Sequence, residues 1–316
     1  MFEFVNYLKL FATILITNSH FGDIWPVSAM ASGGLLGNII FFAVSGYLLF
    51  NIKESFPKWF LNRFLRVYPA MAAFTLFAVA IGQYGLNSLS DAFKLFIYPT
   101  NYVFLVWLVI CYIAFYIVAY IDKKKEKFLE VSFATVMLIW FVIYIFFYNK
   151  SVYSIDNVSE PFILFLYFES MLMGALFRKH KDRFGKFSIV KIISAVLCLA
   201  VYFASKIVFS KYDSLLNFQI LNQIVILITL FVVFDLSMSL ENFFGKIPKA
   251  IKVCVGHISN ITLQIYIVQF VIIEHFEKLA FPLNLLVVTI LILVAASVLY
   301  YIEFYVRKLT LHKNKH

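Results

Sequence analysis

The sequence predicts an all-α membrane protein, a polytopic bundle of about ten transmembrane helices with both termini in the cytoplasm. Three observations predict it: the composition, the length of the apolar segments and the distribution of basic residues. Of the 316 residues, 63% are hydrophobic and only 14% are charged, whereas about a quarter of the residues are charged in a typical soluble domain. The chain therefore has too few charged side chains to cover a surface in water.

The apolar segments have the length that crosses a bilayer, about 20 residues each. Because lipid offers no partner for backbone polar groups, such segments form helices or closed barrels, and these runs lack the period-two alternation of barrel strands. The ten predicted segments are 4–21, 33–52, 67–84, 99–121, 129–148, 160–178, 188–208, 215–240, 257–276 and 281–306. No loop has the length of a further domain, so we expect residues 1–316 to form a single membrane-embedded domain.

The basic residues are concentrated on one side of the predicted bundle. Of the 27 lysines and arginines, 21 lie in one set of alternating loops and at the end of the chain, five lie in the other set, and Lys9 lies inside the first helix. Basic loops stay in the cytoplasm, so we expect both termini inside and the chain in the cell inner (plasma) membrane. The net charge of +10 follows from this topology and indicates no nucleic-acid partner. The three cysteines are scattered and predict neither a metal site nor a disulfide.

Five ionisable residues lie within the predicted helices, where such residues are rare and usually functional. They are Lys9, His20, Glu169, Asp235 and Glu303. Lys9 and His20 lie eleven residues apart on the first helix, about three turns or roughly 16 Å along its axis. They therefore share nearly one face of that helix.

Each of these residues also has a simpler interpretation. Lys9 can extend to the cytoplasmic interface or pair with Asp235 or Glu303. His20 can be a hydrated residue at the helix end. Glu169 is either a functional carboxylate or a protonated and hydrogen-bonded one.

Two arginines flank the third predicted helix in KWFLNRFLRVYPA, residues 58–70. Arg63 and Arg66 are three residues apart, so on a helix they project from the same side. The guanidinium fork suits phosphate oxygens; ordinary topogenic charge or contact with lipid headgroups is the alternative. Just upstream, FFAVSGYLLF (residues 41–50) places Ser45 and Gly46 inside an apolar helix, where glycine allows close helix packing.

In this order, these features resemble the acyltransferase 3 family of multi-pass membrane acyltransferases. The resemblance depends on His20, on Phe41–Tyr47 as an FF-x-x-SG-(F/Y) motif, and on Arg63-x-x-Arg66 followed by Tyr68-Pro69.

Two later segments extend the resemblance over most of the chain. Trp107 lies in an aromatic fourth helix, and ISNITLQIYIVQ (residues 258–269) looks like a late motif of the family. The chain departs from the family at two positions, since the arginine of helix one is Lys9 here and the late motif ends in Gln269 where many relatives have histidine.

The resemblance implies an O-acyltransferase that moves an acyl group, most often acetyl, from a cytoplasmic thioester to a hydroxyl of a cell-surface or lipid-linked saccharide. The donor would be acetyl-CoA or another acyl-CoA, a substrate, with no permanently bound cofactor. His20 would be catalytic, as a general base or as an acyl carrier. The donor-binding residues would be Arg63, Arg66 and Lys9. We expect supporting roles for Ser45, Asn18 and Glu169.

Two other functional classes fit parts of the sequence. A transporter or flippase of a lipid-linked saccharide or another anionic solute would also have many helices, intramembrane charges and basic inner loops. Transporters often show inverted repeats with broken helices, and the sequence has no paired halves. A non-catalytic membrane scaffold would have no use for five ionisable residues in its helices.

Overall fold

The computed structural model describes residues 2–276 and 278–313, and within these ranges every regular element is helical, as the sequence predicts. The α-helices of the described residues are α1 (Glu3–Ser19), α2 (Gly34–Leu49), α3 (Phe56–Ala80), α4 (Leu89–Ala92), α5 (Val103–Asp122), α6 (Phe128–Phe146), α7 (Ile163–Lys179), α8 (Ile189–Lys211), α9 (Ile220–Ser239), α10 (Glu241–Lys246), α11 (Lys249–Asn260), α12 (Thr262–Phe276) and α13 (Leu283–Lys313). A π-helical turn at Phe93–Ile97 and short 3-10 turns at Ser28–Met30, Thr100–Tyr102, Lys181–Arg183 and Asp213–Phe218 lie between them.

Seven helical segments of the described residues are long and apolar enough to cross a membrane, and an eighth is added if α11 and α12, bent by 69°, form one broken span. Each of the ten predicted segments overlaps a helix, but the count of ten is not confirmed. The helices α1 and α7 have 17 residues each and rise about 25 Å, less than the roughly 30 Å of a hydrocarbon core. The cytoplasmic location of the termini stays a prediction, and Met1 and residues 314–316 lie outside the described residues.

The exposed helix faces are apolar, which is the pattern of a surface in lipid. On α8, Ile193, Val196 and Leu197 are each more than 60% exposed. Exposed apolar patches on this scale are rare on soluble monomers. Together with the candidate spans, these faces identify a multi-pass membrane protein.

The third helix begins well before the predicted segment 67–84. It starts at Phe56, with Pro57 in the first turn, where the missing proline N–H costs nothing. It continues through Pro69, which removes one backbone hydrogen bond from the helix interior. Arg63 and Arg66 are therefore helical, as their three-residue spacing required.

The described residues group into two compact units. Unit one consists of residues 2–12, 35–53 and 110–252, and unit two consists of residues 13–34, 54–109, 253–276 and 278–313. In unit one, α6 packs on α7, and α9 packs on both α7 and α8; in unit two, α3, α12 and α13 pack on one another. The prediction of a single domain over residues 1–316 stays a prediction.

Two glycines allow α2 and α7 to cross closely in unit one. A Cβ atom on Gly46 would lie 1.8 Å from the carbonyl oxygen of Met171, and one on Gly174 would lie 1.8 Å from the carbonyl oxygen of Ala43. No side chain fits at either position, so the two backbones meet directly. The interpretation of Gly46 as a helix-packing residue is confirmed.

Candidate active site

One face of α1 is polar along most of its length. Lys9, Thr13 and Thr17 follow each other at four-residue intervals, and His20 follows three residues later. At 3.6 residues per turn Lys9, Thr13 and Thr17 lie within a narrow sector of the helix surface, and His20 follows in the turn directly after Ser19. The polar side chains therefore form a stripe along α1, in which Thr13 is buried and the others are half-buried.

The imidazole of His20 lies against α12. His20 immediately follows α1, and its backbone N–H donates to the carbonyl oxygen of Thr17 at 3.1 Å. Its half-buried ring contacts the ring of Phe270 edge-on, with centroids 4.5 Å apart, and the ring of Tyr266 lies 5.9 Å from that of Phe270. The contact restricts the orientation of the imidazole and leaves part of it accessible.

Two contacts establish that α1 and α12 run side by side within unit two. The Thr13 hydroxyl donates to the Thr262 hydroxyl at 3.2 Å, and two turns further along α1 the His20 ring meets Phe270. Seven residues separate Thr13 from His20, and seven separate Thr262 from Gln269. Since seven residues are almost two full turns, Gln269 faces α1 at the level of His20.

Two polar side chains between these contacts have no hydrogen-bond partner among the described residues. They are the Thr17 hydroxyl and the Gln269 carboxamide, whose oxygen and nitrogen are both unpaired and buried. Buried polar groups are nearly always paired, and leaving one unpaired costs about 1–3 kcal/mol. A carboxamide kept in this state, one residue from the Phe270 ring that His20 contacts, is suited to hydrogen bonding with a reacting group.

Asn18 holds the loop that follows His20. Its amide nitrogen donates to the carbonyl oxygens of Met30 and Ser32 at 2.8 and 3.0 Å, and its oxygen accepts from the Trp25 indole at 2.9 Å. The amide thus joins the end of α1 to both sides of this loop. These contacts give Asn18 a positioning role for the region around His20.

The two arginines of α3 differ in exposure. Arg63 is half-buried, with its guanidinium carbon 5.8 Å from the centroid of the buried Trp59 ring, while Arg66 is exposed. Cation–π contact fixes the direction of the first guanidinium. The second is open to a ligand.

Ser45 and Glu169 belong to unit one. Ser45 is half-buried on α2, directly before the glycine at the α2–α7 crossing. Glu169 is fully buried on α7, and neither of its carboxylate oxygens has a hydrogen-bond partner among the described residues. The hydrogen-bonded form of Glu169, one of the two sequence interpretations, is therefore not seen.

Of the five ionisable residues predicted within the helices, Asp235 and Glu303 have identified partners. Asp235 forms an ion pair with Lys191 at 2.7 Å in unit one, and Glu303 accepts a hydrogen bond from the Gln264 amide in unit two. These two carboxylates thus contribute to helix packing. The pairing of Lys9 with either of them stays a prediction.

Sequence reasoning missed Thr17 and gave Gln269 no role. In the sequence, Gln269 stands out only as a replacement for the histidine of many relatives, and Thr17 is an ordinary residue for a membrane helix. The seven-residue spacing between Thr262 and Gln269 indicates that both lie on one face of a helix. It does not show that this face meets α1 until the Thr13–Thr262 contact is known.

The comparisons with known proteins give a family but no individual relative. The model of the acyltransferase 3 family, described as an acyltransferase domain, matches residues 2–303, which include His20, Gly46, both arginines of α3 and Gln269. Neither the curated proteins nor the solved structures provide a significant match. The chain therefore belongs to the acyltransferase 3 family, and acyl transfer in a membrane is the activity that this membership supports.

Proposed function

We propose that the chain is an O-acyltransferase that moves an acyl group, expected to be acetyl, from a cytoplasmic acyl-CoA to a hydroxyl of a cell-surface or lipid-linked saccharide. The cell inner (plasma) membrane is its expected location. The observation that carries the proposal is the position of His20 at the end of the polar face of α1, level with the unpaired Gln269. The match to the acyltransferase 3 family supports the reaction class.

His20 would act on the acceptor hydroxyl. As a general base, its imidazole takes the hydroxyl proton while the oxygen attacks the thioester carbon. The carbon–sulfur bond then breaks, and the imidazolium returns the proton to the leaving thiolate. In the two-step alternative, the imidazole nitrogen attacks the thioester carbon, the carbon–sulfur bond breaks and coenzyme A leaves as its thiolate. The hydroxyl oxygen then attacks the acyl carbon, the bond to the imidazole nitrogen breaks, and the hydroxyl proton balances the thiolate, so the products are the ester and the thiol.

Gln269 would assist either route. Both routes pass through a tetrahedral carbon whose oxygen becomes negative. A pre-oriented amide N–H in a site without water stabilises such an oxyanion, and removing one donor typically costs about 10²–10³ in rate. The buried carboxamide of Gln269 has its donors unpaired, so hydrogen bonding to the oxyanion replaces no existing contact.

The donor would be held by its phosphates. Arg66, exposed on α3, is suited to bidentate contact with a phosphate, and Arg63 lies three residues away on the same helix side. Lys9 belongs to unit one and has a point charge without the guanidinium geometry; its role in donor binding stays a prediction. The thioester arm would then follow the polar face of α1 toward His20.

The supporting residues would act on position. Asn18 holds the loop after His20 through its three hydrogen bonds. Ser45 and Glu169 lie in unit one, and their supporting roles stay predictions.

A labelling experiment tests the reaction. Membranes from cells that express the chain are incubated with acetyl-labelled coenzyme A, and label is followed into protein, glycan and lipid fractions. The wild type should label glycan, and His20→Ala should abolish this. His257→Ala is the matched control, because His257 is engaged with Ser297 at 2.9 Å and should transfer label normally.

The same experiment separates the two roles of His20 and the rival function. If label appears first on the wild-type protein and then moves to glycan, His20 is an acyl carrier. If glycan is labelled and the protein never is, His20 is a general base. Equal transfer by wild type and His20→Ala would remove His20 from the mechanism. Saccharide uptake into vesicles without any acyl transfer would indicate a transporter.

A binding experiment tests the donor site. Arg66→Ala should weaken binding of coenzyme A by about tenfold or more, as expected for a lost charge-assisted contact. Arg183→Ala is the control, since Arg183 is also exposed but lies after α7; Lys179 is unsuitable because it pairs with Asp122 and Glu130. Equal weakening by both arginine variants would mean diffuse charge and no site.

A further inference from the structure

The connection between α6 and α7 is long for a loop in a helical bundle. Residues 147–162 contain no regular helix, whereas most connections have about 4–6 residues, and loops beyond about 12–15 residues usually have a function or are disordered. The distribution of basic residues predicts that this loop is extracytoplasmic. It lies wholly within unit one.

Two buried side-chain amides hold this loop in a fixed conformation. They belong to Gln219, the residue before α9, and to Gln223 in the first turn of α9. The side-chain oxygen of Gln219, which is fully buried, accepts from the backbone N–H groups of Ser154 and Ile155, both at 3.1 Å. Its amide nitrogen donates to the carbonyl oxygen of Val152 at 3.1 Å, and Gln223 donates to that of Ile155. A loop fixed in advance loses little entropy when it binds a ligand.

The fixed loop forms one side of a cleft of about 500 Å³. This volume is within the range of roughly 300–1,000 Å³ that is typical of small-molecule sites. The residues that give the cleft its chemistry are Phe147, Tyr148, Asn149, Ser154, Glu160 and Phe162.

The lining combines aromatic rings with hydrogen-bonding groups. The rings of Tyr148 and Phe162 lie 4.6 Å apart, and Phe147 is 79% exposed, so flat apolar surface is available to a ligand. Beside it, the exposed carboxylate of Glu160 offers acceptors and the amide nitrogen of the exposed Asn149 offers donors.

This combination matches a pyranose ring better than an anionic headgroup. A pyranose has an apolar face of C–H groups that packs on an aromatic ring and a rim of hydroxyls that donate to carboxylates. None of the described residues that line the cleft is basic, and Glu160 would repel a phosphate. An anionic ligand therefore lacks a counter-charge here.

We propose that the cleft formed by the α6–α7 loop binds a sugar unit of the acceptor saccharide. The inference rests on the proposed function, because it names the subsite for that acceptor. Sugar units bound here would hold the glycan to the enzyme without reacting themselves, which is how remote binding energy serves catalysis.

Binding of simple sugars to the His20→Ala protein, without any acyl donor, tests the cleft separately from the reaction. Methyl glycosides of glucose, galactose and N-acetylglucosamine are titrated in detergent micelles and followed by saturation-transfer NMR, with sorbitol as the acyclic polyol and phosphocholine as the headgroup. At least one of the three glycosides should bind more tightly than sorbitol and more tightly than phosphocholine.

Two substitutions in the cleft and two matched controls locate the site. Phe147→Ala and Glu160→Gln should each weaken glycoside binding by about fivefold to tenfold. Phe146→Ala removes a neighbouring ring that is 72% exposed but does not line the cleft, and Glu126→Gln removes an exposed carboxylate from the α5–α6 loop. Both controls should bind as the parent does.

The outcomes distinguish this proposal from the proposed function. Glycoside binding that neither cleft substitution changes, or preference for phosphocholine over every glycoside, would overturn the cleft proposal even if the wild type acylates glycan. Glycoside binding that depends on the cleft supports it, even where the wild type transfers no label and the proposed function fails.

Discussion

Replacing Gly46 by alanine should destabilise the protein by opening the crossing of α2 and α7. The added Cβ would lie 1.8 Å from the carbonyl oxygen of Met171 and 2.8 Å from its carbonyl carbon, whereas such contacts are essentially never shorter than 3.0 Å. Because the opposing atoms are backbone, the helices must separate, and the contact of Gly174 with Ala43 is loosened too. Overpacking costs typically 1–3 kcal/mol, and we expect about 3 kcal/mol here.

Thermal unfolding of the detergent-purified protein measures this cost. A loss of about 3 kcal/mol should lower the Tm by roughly 6 °C. Gly256→Ala is the control, because no atom lies within 4 Å of a Cβ at that position of α11 and alanine favours a helix by up to about 1 kcal/mol. Its Tm should be unchanged or higher. A Tm of Gly46→Ala equal to that of the wild type would refute the close crossing, whatever happens to activity.

Three other substitutions test the buried polar groups. Gln269→Leu should reduce acyl transfer by about a hundredfold while the Tm stays or rises, because an unpaired buried amide is removed; lower Tm with normal transfer would contradict its role at His20. Glu169→Gln should keep or raise the Tm, since the amide has nearly the shape of the carboxyl and needs no counter-charge in the interior, and a clear fall in Tm would mean that the carboxyl group is engaged. Lys179→Met should destabilise by about 3–5 kcal/mol, because the Asp122 side chain, 5% exposed and 2.8 Å from the ammonium, loses its counter-charge and keeps only the Leu129 N–H. Asp122→Asn in the same chain should restore part of the Tm, and failure to do so would argue against this pair.

The helical fold was predictable because a bilayer requires apolar segments of about 20 residues, and because a backbone in lipid must satisfy its hydrogen bonds within the protein. Both requirements are visible in the sequence. The polar extension of α3 from Phe56 was missed, since residues 56–66 are not apolar enough to count as a span. The 69° bend between α11 and α12 was missed for a different reason. The break at Ile261 contains neither proline nor glycine, the usual local causes of a sharp bend.

Within the site, the sequence predicts which residues share a face of one helix, but it does not predict which helices are in contact. Lys9 and His20 share a face because eleven residues are close to three whole turns. The position of Gln269 at the level of His20 depends on the parallel arrangement of α1 and α12, which follows from the Thr13–Thr262 and His20–Phe270 contacts. A single sequence contains no record of which helices are neighbours.

The motif residues therefore have two different roles: Gly46 allows helix packing, and His20 is proposed to take part in the chemistry. Loss of activity alone does not distinguish these roles. A substitution at Gly46 forces α2 away from α7 and displaces Ser45, the adjacent residue, so it should reduce both stability and transfer. His20 lies beyond the end of α1 with a half-buried ring, so His20→Ala removes little packing and should abolish transfer with the Tm almost unchanged. Measured together, Tm and transfer separate a residue that brings helices together from one that moves a proton or carries an acyl group.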